Sequence, residues 1–119
     1  MLDQKTLTIL EFDKIRDLVA AYAGFSGGRE LALAMQPTTE IEQAQEWQAE
    51  TREAVSLLES DSAVTIGGAR DVRRAADNAL RGFTLPAEDF MAIQATIVAA
   101  RNLRRQLLRL EDRVPHLAA

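Results

Sequence analysis

The chain has 119 residues, 47% of them hydrophobic and 27% charged, and carries a net charge of -4 with no cysteine and a single histidine. That size suits one domain with its own core, the missing thiols exclude a disulfide scaffold and thiolate metal sites, and the lone His116, beside Pro115, argues against imidazole chemistry. No apolar run approaches the roughly 20 residues that span a bilayer, and the opening MLDQKTLTILEFDK lacks the basic and then apolar order of a secretory leader, so a cytoplasmic protein without membrane contact is expected.

Thr6 to Ala23 reads as helix in two pieces, Leu7 and Leu10 serving the first and Ile15, Leu18, Val19 and Tyr22 forming the inward face of the second, with Phe12 at the joint. Gly24 is placed to close that helix in the left-handed region, and Ser26 to cap the next one, which should fold back as an antiparallel neighbour. Pro37 ends this short helix. Thr39 and Glu42 stand at capping-box spacing ahead of a long helix over about 40–58. Its stripe of Ile41, Ala44, Trp47, Thr51, Ala54, Val55 and Leu58 predicts an inward face. Glu42, Glu46, Glu50 and Glu53 run along the other side, where like charges one turn apart repel and read as a solvated face or a surface for a basic partner.

SDSAVTIGG, residues 60–68, is the clearest loop, with a turn at Gly67-Gly68 and room for a brief extended segment at 63–66. Ala69 to Arg81 returns to helical spacing, with Asp77 and Arg81 as an i, i+4 pair and Gly82 as the stop. A second long helix covers about 86–111. Pro86 opens it, Glu88 and Asp89 favour its positive end, and Phe90, Ile93, Ile97, Ala100, Leu103, Leu107 and Leu110 line it until Pro115. The pattern predicts an all-α, antiparallel bundle of about five to six helices in a single domain over 1–119.

Chemistry is scarce. Gly24 to Arg29 is glycine-rich, but a phosphate-cradling loop needs a glycine where Arg29 stands, and no Glu-x-x-His pair exists to hold a di-metal centre. No catalytic residue, cofactor site or metal site is expected here. Charge is uneven, at -7 over residues 1–61 and +3 over 62–119. Much of the positive charge lies in Arg101, Arg104, Arg105, Arg109 and Arg113, a guanidinium stripe that reads as a solvated face favouring the helix C-terminus or as a surface suited to phosphates or to an acidic partner. Without interleaved aromatics, sequence-specific nucleic-acid readout is not expected.

TLTILEFDKIRDLVAAYA (6–23), SGGRELALAMQPTTEIEQAQ (26–45), ETREAVSLL (50–58) and IGGARDVRRA (66–75) resemble, in the same order, the amino-terminal region of bacterial MutS-like proteins. The closest branch is the second, recombination-suppressing one, and Ile9 to Ile15 is the most specific part. The stretch from Gly27 to Ile41 also resembles the start of the core, or lever, domain. Leu85 departs from the serine or threonine cap expected before Pro86.

The resemblance implies an N-terminal piece of a larger, homodimeric protein with an ATP- and Mg-dependent ATPase, a clamp and an endonuclease domain. Such proteins are associated with branched DNA in recombination and, in some bacteria, with stalled or collided ribosomes. The implied role of this segment is mechanical, relaying ATPase state to the clamp through other domains of the same polypeptide. An autonomous protein-interaction or self-association module is the alternative.

Overall fold

The computed structural model describes residues 2–119, and every regular element among them is an α-helix, as the hydrophobic periodicity predicts. Helix α1 (Gln4–Ile9) starts on Asp3, whose carboxylate accepts from the Thr6 N–H at 2.7 Å. Glu11 then takes a left-handed φ of 54°, and the chain restarts as α2 (Phe12–Ala21), so Phe12 does mark a joint. Helices α2 and α3 (Ser26–Ala34) pack as a hairpin across the short connection 22–25.

Three expected caps are absent. Ser26 is the first residue of α3, behind an extended Phe25, and its hydroxyl donates instead to Asp71 Oδ2 at 2.7 Å. Gly24 has no positive φ; the left-handed glycines are Gly68 and Gly82, at 91° and 81°. Ahead of α4 (Ile41–Glu59), Glu40 holds the cap position without a side-chain bond, while Thr38 Oγ1 accepts from the Glu40 N–H at 3.1 Å. The expected Thr39–Glu42 capping box therefore does not form.

Residues 60–72 contain no strand, so the brief extended segment at 63–66 makes no ladder. They lie instead along α6 (Ala87–Arg109), running antiparallel to it. Gln106 Nε2 donates to the Ala63 carbonyl at 3.2 Å, and ten residues back on α6 Thr96 Oγ1 accepts from the Arg70 N–H at 3.0 Å. The turn at Gly67-Gly68 falls between these pins. Helix α5 (Arg73–Leu80) begins four residues later than periodicity alone suggests, carries the expected Asp77–Arg81 pair at 3.1 Å, and stops at Gly82. Pro86 sits at the cap of α6 just ahead of its first turn, where Glu88 and Asp89 follow as expected. The far end differs: α6 closes at Leu110, and Pro115 opens a final short helix, α7 (Pro115–Ala118), that bends back onto both α4 and α6.

The arrangement is open. The radius of gyration is 17.5 Å, against about 13.5 Å for a compact chain of this length. The accessible surface of 9338 Å² exceeds by roughly 2,900 Å² the ~6,400 Å² of a compact monomer of the same mass. Helices α4 and α6 do not pack along each other. Buried side chains are few: Leu7, Ala20, Leu57, Ala75, Ala99 and Val114.

The faces expected to turn inward on α2 and α4 are largely uncovered. Leu18 is 61% exposed, Tyr22 90% and Leu58 80%, while Leu57, beside the expected stripe, is buried. The side chains that are buried on these two helices, Ala20 and Leu57, lie outside the expected stripes, so the apolar faces marked by periodicity are not the faces this fold packs. Val114, just ahead of α7, is the most completely buried of the described residues, and Val114→Ala should lower stability by about 2 kcal/mol in urea unfolding. Leu58→Ala should change it by less than about 0.5 kcal/mol.

Candidate interaction surface

Helix α6 presents two unlike sides. Its covered side carries Ala92, Ile93, Thr96, Ala99, Leu103 and Gln106, facing the 60–72 segment and its neighbours. Its outward side carries Phe90, Met91, Gln94, Ile97, Val98, Arg101, Arg104, Arg105 and Leu108. All nine are exposed. The first half of that face is apolar and the second half is basic, with Arg109 beside it. Among the described residues none of Arg101, Arg104, Arg105 and Arg109 pairs with a carboxylate. Arg113 stands apart, in the turn after α6, where its N–H donates to the Leu110 carbonyl at 2.8 Å. The stripe is thus four arginines on one helix and not five.

A polar node, not anticipated from the sequence, ties the α2–α3 hairpin to the rest. Arg73, at the start of α5, makes a bidentate pair with Glu30 of α3, Nη1 to Oε2 at 2.7 Å and Nη2 to Oε1 at 2.8 Å. Its Nε donates to Asp71 Oδ1 at 2.9 Å, and Asp71 also accepts from Ser26. The Arg73 guanidinium, with the Ser26 hydroxyl, holds the Asp71 carboxyl well below the usual carboxylate range, and Arg73 likewise lowers Glu30. Asp71 first and Glu30 second raise Arg73 in return. No spacing rule links positions 30 and 73, so only the fold reveals the pair.

A second missed contact reverses one expectation. Glu53 belongs to the stripe read as solvated, yet its side chain is only 11% exposed. Its carboxylate accepts from the N–H groups of His116 at 3.2 Å and Leu117 at 2.9 Å, and Oε1 lies 2.6 Å from His116 Nδ1. Glu53 thereby serves as the N-terminal cap that α7 does not supply for itself. Desolvation pushes the Glu53 carboxyl up, but the bonds from the His116 ring and the two N–H groups outweigh it and the net shift is downward. Nothing in the sequence marks it, since the burial of Leu57, one turn further on, is itself seen only in the fold. Glu42 and Glu46, in the N-terminal half of the same helix, do remain exposed.

Lowered carboxylates stabilise the fold above their ordinary range, near pH 4, and that contribution is lost as pH falls through the folded values. Amide exchange protection in α3 should therefore be constant from pH 7 to about 5 and fall below about 4. In the Arg73→Ala variant that acid-dependent loss should shrink, and protection of α3 should be lower already at pH 7.

Comparison with known proteins gives a consistent likeness. Over 115 residues the chain is 41% identical to the endonuclease MutS2 of Thermomicrobium roseum, covering 94% of this chain and 14% of that protein. It is 36% identical over 118 residues to the endonuclease MutS2 of Symbiobacterium thermophilum, and 32% identical over 117 residues to that of Geobacillus sp. WCH70, covering 15% of each. The chain thus spans about one seventh of the length of these relatives. No family model matches it, and no solved structure does. Along nearly all of its own length the chain is similar to a segment of proteins of one name, MutS2, and its regular elements among the described residues are all helical.

Proposed function

We propose that this chain is the N-terminal helical core, or lever, segment of a MutS-like ATPase and endonuclease, and that its own part is mechanical, relaying between the ATPase and the clamp that grips the substrate. The whole protein would be a cytoplasmic homodimer using ATP and Mg to act on branched DNA and suppress recombination, or in some bacteria on stalled or collided ribosomes. Catalysis and nucleotide binding would lie outside residues 1–119.

The observation that carries this reading is the uncovered apolar surface. The excess of roughly 2,900 Å² of total surface, polar and apolar together, over a compact monomer is more than three times the ~800 Å² that one side of a standard protein interface buries. Exposed Leu18, Tyr22 and Leu31 on the hairpin, and Ile41, Trp47, Val55 and Leu58 on α4, are the faces of a core cut open. Further helices of the same polypeptide would close them, with the Glu30–Arg73 node keeping the hairpin in register meanwhile.

Coverage in the whole protein is testable. Leu31→Asp, at a residue 76% exposed here, should change the stability of the isolated chain by less than about 0.5 kcal/mol and that of the whole protein by about 2 kcal/mol or more. Equal effects in both would remove the packing role. The isolated chain should also neither hydrolyse ATP nor bind a four-way DNA junction tightly; tight binding with a steep salt dependence would make it a substrate reader.

A further inference from the structure

The outward face of α6 differs from every other uncovered face in being half apolar and half basic. Phe90, Met91, Ile97 and Val98, between 46% and 68% exposed, occupy its N-terminal half. Arg101, Arg104 and Arg105 occupy its C-terminal half, with Leu108 among them. A wholly basic helix would suit a phosphate backbone, but laying this one along a nucleic acid would set four large apolar side chains against anionic phosphates and leave them unmatched. The apolar half of the face is instead the kind of stripe that packs against the apolar side of another helix.

We infer that this face docks an amphipathic helix of a partner protein, apolar in its C-terminal half and acidic in its N-terminal half, lying antiparallel to α6. Charge complementarity sets the sign and the direction together. Carboxylates opposite Arg101, Arg104 and Arg105 satisfy guanidinium groups that have no pair within the described residues. Antiparallel docking places those carboxylates at the partner helix's N-terminus, where its own dipole also favours them. The inference stands on this face alone and does not require the ATPase reading.

The test titrates a labelled helical peptide of about 24 residues, matching α6 at ~1.5 Å per residue, into the 119-residue chain and reads fluorescence anisotropy. The peptide carries leucine on one face of its C-terminal half and glutamate at the same positions of its N-terminal half. Arg101→Glu with Arg105→Glu should weaken binding by roughly tenfold or more, and a peptide with lysine in place of glutamate should restore it. Exchanging the two halves of the peptide should cost a similar factor. Ile97→Asp with Val98→Asp, at exposed positions, should remove binding while far-UV circular dichroism stays unchanged.

Equal binding of the two peptide polarities overturns the inference, as does indifference to the arginine substitutions. Tighter binding of a short DNA duplex through the same arginines would assign the face to nucleic acid. Concentration-dependent dimerisation that shields α6 from the peptide would assign it to a second copy. Either result would replace the proposed partner.

Discussion

The seating of α7 between α4 and α6 is the constraint on which the shape of the molecule depends. Four residues cannot form a stable helix alone, and this one lacks any cap of its own. It persists because Glu53 reaches from α4 to its first N–H groups and because Val114, just before it, is wholly buried. With α7 in that space the two longest helices are joined through it and not by packing along each other. The chain therefore folds as a framework with an interior open on several sides, held by polar ties at Glu30–Arg73, Arg70–Thr96 and Gln106–Ala63 where a compact domain would rely on a continuous core.

Those ties explain how so little buried apolar surface can fix a definite arrangement. The Arg73 fork is exposed, and an exposed ion pair ordinarily adds little. Here it is bidentate, and it shares Arg73 with Asp71, which in turn takes the Ser26 hydroxyl. One side chain thus orients the hairpin, the incoming segment and the start of α5 together. Direction matters more than strength in such a node, because the apolar faces it positions are the larger source of free energy once they are covered.

Local signals in the sequence are legible where they are self-contained. The two long helices, the joint at Phe12, the Gly67-Gly68 turn and the stop at Gly82 follow from periodicity and from residues that tolerate unusual backbone angles. Caps were read less well, since Ser26 and Thr39 have the right chemistry and spacing but Ser26 is claimed by Asp71, forty-five residues away, and the start at Thr39 is displaced to Glu40. Burial was the hardest to foresee. Periodicity says which face of α2 or α4 is apolar, and nothing local says whether another helix is present to meet it. The arginine stripe on α6 was legible in outline, whereas Glu53 was assigned to the wrong side because its partner lies beyond any helical repeat.

Two kinds of uncovered surface follow from this architecture. The faces of α2, α3 and α4 are broadly apolar, as the halves of a divided core would be. The outward face of α6 is mixed, and its three arginines, unpaired among the described residues, suit the acidic partner proposed for it. The claim beneath both is that the isolated chain is open. Small-angle X-ray scattering extrapolated to zero concentration tests it directly: the account predicts a radius of gyration near 17.5 Å for a monomer, and a value near the ~13.5 Å of a compact domain would contradict it.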